Sequence, residues 1–336
     1  MSSKIYQTDI TVIGAGPVGL FAVFEAGMQK MKCHVVDTLD FIGGQCNALY
    51  PEKPIYDIPA HPQILAEDLI KNLEKQAAPF SPFYHLGQRV EKLHKNTDNL
   101  FEVTTSKNNI IQSKAVIIAA GCGAFGHHRP PITGIEEYEG KSLFYMVKSK
   151  QDFAGKKVVI AGGGDSAVDW ALSLHGIANK VSVIHRRNKF RCAPDSAEKL
   201  QTLAEQGKIE LIIPYQLHDI TGSNGQIKQV IVQDFDKNIK AIEADILLPF
   251  YGLAMELGPI ANWGLNLNHN HIETDPATMQ TSHKGIYAVG DIATYKNKLK
   301  LILTGFAESA TACRDIYDIV YPDTPYHFEY STSKKL

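Results

Sequence analysis

Short β-branched runs alternate with glycine turns and helix-length apolar stretches along this chain. Residues 9–13 (DITVI) are a short β-branched run, suited to a buried parallel strand. GAGPVG follows, then an apolar helix predicted over 18–30, and the chain returns as CHVVD at 33–37, completing a β-α-β unit. The same order recurs at KKVVIAG (156–162), GGGDSAVDWALSLHG and KVSVIHRR (180–187), a repeat at domain scale. Further strands are predicted at 115–121, 242–249 and 285–293, and a helix at 304–319. A strand ending at Gly290 and Asp291 fits the first sheet, which makes the first domain discontinuous. The expected architecture is α/β, with two Rossmann-like three-layer domains. Residues 1–124 and 284–336 form one domain, and 125–283 form the other, inserted through two crossings that make a natural hinge.

Composition narrows the classes. A length of 336 residues suits about two domains, and a 44 % apolar, 21 % charged chain is an ordinary globular one. The net charge of −2 argues against a nucleic-acid binder that depends on a basic surface. The first apolar run is broken by Gly14, Gly16, Pro17 and Gly19 and has no charged leader, unlike a signal peptide, and no run reaches a membrane span. Five scattered cysteines (Cys33, Cys46, Cys122, Cys192, Cys313), none in CxxC, point to a reducing cytoplasm.

Gly14, Gly16 and Gly19 make G-x-G-x-x-G between strand and helix. The first glycine permits the tight turn, the second admits a pyrophosphate to the backbone, and the third lets helix pack on strand. Asp37 closes the next strand, where a carboxylate takes ribose hydroxyls, so the unit reads as a dinucleotide site. The second copy, Gly162, Gly164 and Ala167 with Asp165 and Ser166 opening the helix, is followed by His185, Arg186, Arg187 and Arg191 instead of an acid. Guanidinium forks pair with a 2′-phosphate, so this site favours NADP(H). Opposite charge logic in two sites suggests FAD in the first and NADPH in the second. Asp291 either bonds a ribityl hydroxyl of FAD or caps the helix after it.

GAGPVG with Asp37, GGQ at 43–45, AAG at 119–121, GGGDSA with HRR, and GIYAVGDI together resemble the thioredoxin-reductase-like flavoproteins over nearly the whole chain. Thioredoxin reductases carry a CxxC before the second glycine loop, whereas 143–157 here holds no cysteine. In the related glutathione-reductase kind, a second cysteine would fall at Pro51 and pair with Cys46. These absences, with ALYPEKPIYD after GGQ and the tail EYSTS, are similar to the type 2 ferredoxin-NADP+ reductases. The resemblance implies FAD contacts at Asp37, Gln45, Tyr50, Val90, Phe125, Asp291 and Thr332. It implies Tyr50 stacking on one flavin face, with Tyr330 from a partner subunit's tail on the other, and therefore a homodimer.

The implied activity moves a hydride from NADPH to flavin N5 and then single electrons to ferredoxin or flavodoxin. It needs no metal, nucleophile or acid-base residue, because the cofactor carries the difficult step. His34, His61, His85, His127 and His128 then read as structural or surface residues. Lys296, Lys298 and Lys300 (YKNKLK), with Lys334 and Lys335, are either a landing site for an acidic ferredoxin or a solvated loop. Two other readings stay open: a disulfide, quinone or peroxide reductase working through Cys46, and a non-catalytic flavin redox sensor.

Overall fold

Backbone pairing joins the first glycine-flanked strand to distant parts of the chain. The computed structural model describes residues 4–328 and 332. The sheet order is Ile286–Ala288, Ala115–Ile118, Ile10–Ile13, Cys33–Val36, Phe83–His85, and every pairing is parallel. Alternation along the strands sorts side chains to two faces. Ile10, Val12, Val35, Ile117 and Tyr287 pack with Ala22, Val23 and Ala26 of the helix Pro17–Met28 and with Ala312 and Ile316 of the helix Ile302–Val320. Ile13, Val36, Val116, Ile118 and Ala288 face the other way, onto Val90, Val103 and Ile111 of a second sheet. That sheet runs Ile5–Gln7, Ile110–Ser113, Phe101–Thr105, Val90–Lys95. Helices, parallel sheet and second sheet make three layers.

Two compact units emerge: Met1–Phe125 with Met255–Leu336, and Gly126–Ala254. The chain returns to the first unit at Met255, earlier than the expected 284. Leu257, Ile260, Leu265 and Ile272 are the cause, because they bury their side chains in the first unit's core beside Ile13 and Val90.

In the second unit the parallel sheet is ordered Glu210–Ile212, Lys180–Ile184, Lys157–Ala161, Ile246–Pro249. The helix Asp165–Leu174 buries Ala167, Val168, Trp170, Ala171 and Leu174. An antiparallel sheet, Gln216–Ser223, Gln226–Gln233, Ile239–Glu243, covers the opposite face through Ile220, Val230, Val232 and Ile242. The single strand expected at 242–249 is therefore two strands in two sheets. The switch comes at Asp245, whose amide donates to the Lys157 carbonyl and whose carboxylate accepts from the Lys157 amide at 2.8 Å.

The strand expected at 285–293 is also shorter. Gly290, at φ +75°, bends the chain into the single turn Gly290–Ile292. Among the described residues, no helix is long and apolar enough to cross a membrane.

Candidate functional site

The first glycine turn works as its spacing predicts. Gly14 sits at φ +111°, and a Cβ there would lie 2.3 Å from the Ala119 carbonyl oxygen. A side chain on Gly19 would meet the Gly14 carbonyl at 1.9 Å, so the helix Pro17–Met28 packs tightly on the turn. Gly16 differs: a Cβ there would meet only the Gly44 Cα, at 4.0 Å. No side chain caps this helix, which leaves its first amides available to an anion.

Gly14 and Gly16 line a cavity of about 470 Å3 that lies wholly within the first unit. At one end Asp37 accepts from the Ala15 amide at 2.6 Å and the Leu39 amide at 2.8 Å. Burial pushes its carboxyl pKa up, and the amides of Ala15, Leu39 and Thr38 pull it back down. Val90 lines the same wall, beside a register shift in its strand pair.

Gln45, Cys46, Tyr50, Asp291 and Lys300 line the other end. Cys46 lies within the short helix Gly44–Leu49, which Gly43 enters at φ +116°, and Tyr50 is its C-cap one turn on, so that their side chains share a hydrogen bond. Burial pushes the Cys46 thiol up to about 11 and the Tyr50 phenol well above its usual range. Cys122 bonds to Gln45.

Of the sequence-expected residues, the cavity brings together Gly14, Gly16, Pro17, Asp37, Gln45, Tyr50, Val90 and Asp291, with Gly19 behind the turn. Thr332 is exposed and is not in the cavity wall. Tyr330, Lys334, Lys335 and the side chain of Phe125 lie outside the described residues.

Sequence reasoning missed Leu257, Pro259, Ile260 and Trp263, which line the cavity from the segment expected in the other domain. No motif marks them. The Trp263 indole Nε1 is buried, with no hydrogen-bond partner among the described residues.

The lysine run is also corrected. Lys298 is 5 % exposed and paired with Glu308, itself 4 % exposed, so it presents no charge to a partner. Lys296 and Lys300 are exposed, and Lys300 donates to His271 Nε2 at 2.7 Å.

At the second turn a Cβ on Gly162 would lie 2.6 Å from the Phe250 carbonyl oxygen and 3.0 Å from the Ala167 Cβ, which explains a small third residue. Asp165 and Ser166 are exposed at the start of a helix with no side-chain cap. His185 is buried under Gly163, where a Cβ would meet the ring at 2.1 Å. Its Nε2 donates to the Lys189 carbonyl at 3.2 Å, and the ring stacks on Phe190. Burial lowers its pKa, and Arg191, Arg186 and Arg187 lower it further against the Lys189 carbonyl, so the ring is neutral. His185 therefore props the loop rather than facing a ligand.

The loop is tied to the turn by the Arg191 amide on the Gly163 carbonyl at 2.6 Å and the Ala193 amide on Asp165 at 3.0 Å. Arg186, Arg187 and Arg191 are left exposed, with no ion pair among the described residues.

A family model described as Pyridine nucleotide-disulphide oxidoreductase matches residues 8–309. A relative from Rickettsia canadensis named Ferredoxin–NADP reductase is 58 % identical over 330 residues, 98 % of each chain. Another of that name from Rickettsia massiliae is 57 % identical with the same coverage. The crystal structure of Lactococcus lactis thioredoxin reductase is similar at a TM-score of 0.80 and 25 % identity, covering 94 % of this chain and 99 % of that one. With its two glycine-turn units and near full-length kinship, the chain belongs to the pyridine nucleotide-disulphide oxidoreductase family, alongside the relatives named ferredoxin–NADP reductase.

Proposed function

We propose that this chain is an oxidoreductase passing electrons between NADPH and ferredoxin, or a flavodoxin, through bound FAD. One observation carries the reading. A glycine-turn cavity ending in a carboxylate lies in one unit, and a glycine turn ending in unpaired guanidiniums lies in the other.

The cavity's own shape supports the flavin. Gly16 offers bare backbone where a pyrophosphate would sit, Asp37 is placed for ribose hydroxyls, and Tyr50 and Asp291 stand together at the far end for the ring and the ribityl chain. Bound flavin supplies hydride acceptance from NADPH and single-electron donation to the partner protein. The chain supplies placement. Backbone amides would hold phosphate, Tyr50 would cover the ring and exclude water, and Arg186, Arg187 and Arg191 would hold the 2′-phosphate.

The lone-thiol alternative is weakened by Cys46 itself. A buried thiol with its pKa near 11 is protonated at neutral pH, and thiolate is the reactive form. All five cysteines are free, which supports cytoplasmic residence, and homodimeric assembly completes the proposal. The closing measurement is the visible spectrum of the purified protein, followed by NADPH oxidation with ferredoxin, flavodoxin, thioredoxin and quinone. Bound flavin and turnover with ferredoxin are expected. Turnover with thioredoxin alone would overturn the reading.

A further inference from the structure

Beside the Asp291 end of the cavity, the buried carboxylate of Glu308, in the second turn of the helix Ile302–Val320, is left unexplained by the proposed chemistry. Its Oε2 accepts from the Gly290 amide at 2.7 Å. Its Oε1 accepts from the Tyr295 hydroxyl at 2.7 Å and pairs with the Lys298 ammonium, which also lies over the Tyr295 ring. Gly305, one turn before Glu308, has no room for a side chain: a Cβ would lie 2.4 Å from Val18 and 3.3 Å from the Gly290 Cα. The helix is thus locked onto the Gly290–Ile292 turn by packing and by one charge-assisted bond. That turn carries Asp291 into the cavity wall.

A buried ion pair is a poor source of net stability, since desolvation cancels much of its attraction. This one gives something else: an acceptor for the amide of the left-handed Gly290, which has no other partner among the described residues.

We infer that Glu308, charge-balanced by Lys298, is a positioning residue for the flavin end of the cavity. Its carboxylate fixes the Gly290–Ile292 turn and so sets where Asp291 meets the cofactor. The inference rests on the FAD reading above.

Two double variants test it without leaving a buried charge unpaired. Lys298→Met with Glu308→Gln keeps a carbonyl acceptor for the Gly290 amide, whereas Lys298→Met with Glu308→Leu keeps only the shape. The flavin-loaded proteins are diluted, the fluorescence of released FAD gives the Kd, and visible circular dichroism reports the surroundings of the bound flavin. The Gln double should hold FAD within about threefold of wild type, and the Leu double should raise the Kd about tenfold, the worth of one buried bond, and change the dichroism. Equal Kd values and equal dichroism in the two doubles would sink the inference. Wild-type protein that binds no FAD would instead sink the cofactor reading.

Discussion

Replacing Arg187 by Ala should cost the protein NADPH and spare NADH. The guanidinium is exposed and, among the described residues, has no ion pair, so truncation breaks no internal ion pair and stability should stay within about 0.5 kcal/mol. The loss falls on the ligand. At about 4 Å in water-like surroundings a unit charge pair is worth about 1 kcal/mol, and a phosphate of nearly two charges about twice that. Two kcal/mol is roughly thirtyfold in affinity. The same reasoning holds for Arg186 and for Arg191, whose amide contact with Gly163 survives truncation of its side chain. The triple Ala variant should lose roughly 100- to 1000-fold, less than the sum because the three share one phosphate.

Steady-state kinetics with ferricyanide as acceptor, comparing kcat/KM for NADPH and NADH, measures this directly. The NADPH value of wild type alone should fall as salt rises. A triple variant that loses equally with both nucleotides, or with neither, would refute the assignment of these guanidiniums to the 2′-phosphate.

Cys46→Ser should retain NADPH-dependent ferredoxin reduction, and loss of turnover with FAD still bound would restore the thiol mechanism. Lys296→Glu and Lys300→Glu should slow ferredoxin reduction and flatten its salt dependence in stopped-flow traces. Lys298→Glu should act differently, setting two buried carboxylates together and destabilising the fold by about 3–5 kcal/mol in urea titrations. His85 is pushed down to about 4 by burial and by His34, whose Nδ1 lies 3.0 Å from its Nε2. Its unfolded value is about 6.5, so the unfolded chain binds the extra proton between these limits. This contribution to stability is complete above about pH 6.5 and is lost as pH falls towards 4. Urea midpoints from pH 7 to 4.5 should therefore fall less steeply in His85→Gln, and parallel curves in the two proteins would contradict the assignment.

Features whose cause is local were legible in the residues. Gly14 is required by its own left-handed backbone at φ +111° and Gly19 by the Gly14 carbonyl of the same turn, and Asp37 is delivered by the strand that follows, so spacing alone located them. The strand at 10–13 and the helix behind it are likewise dictated by a continuous apolar run and a glycine turn. What depends on chain segments far apart was not legible. YKNKLK reads as a solvated basic loop, yet Lys298 is buried because the helix Ile302–Val320 carries Glu308 back against it. Residues 257–263 carry no motif and follow the second unit in sequence, but their apolar side chains complete the first unit's core and the cavity wall.

His185 has the position of a ligand contact and the surroundings of a buried prop, a distinction made only by its packing against Gly163. The sequence by itself determined the two glycine turns, the carboxylate that follows one and the arginines that follow the other, and the lack of a CxxC, because each is written in a few consecutive residues. Only the tertiary structure decided where the chain returns to the first unit, which lysines face solvent and what holds Asp291 in place. Those outcomes turn on burial and pairing between residues that meet only after folding.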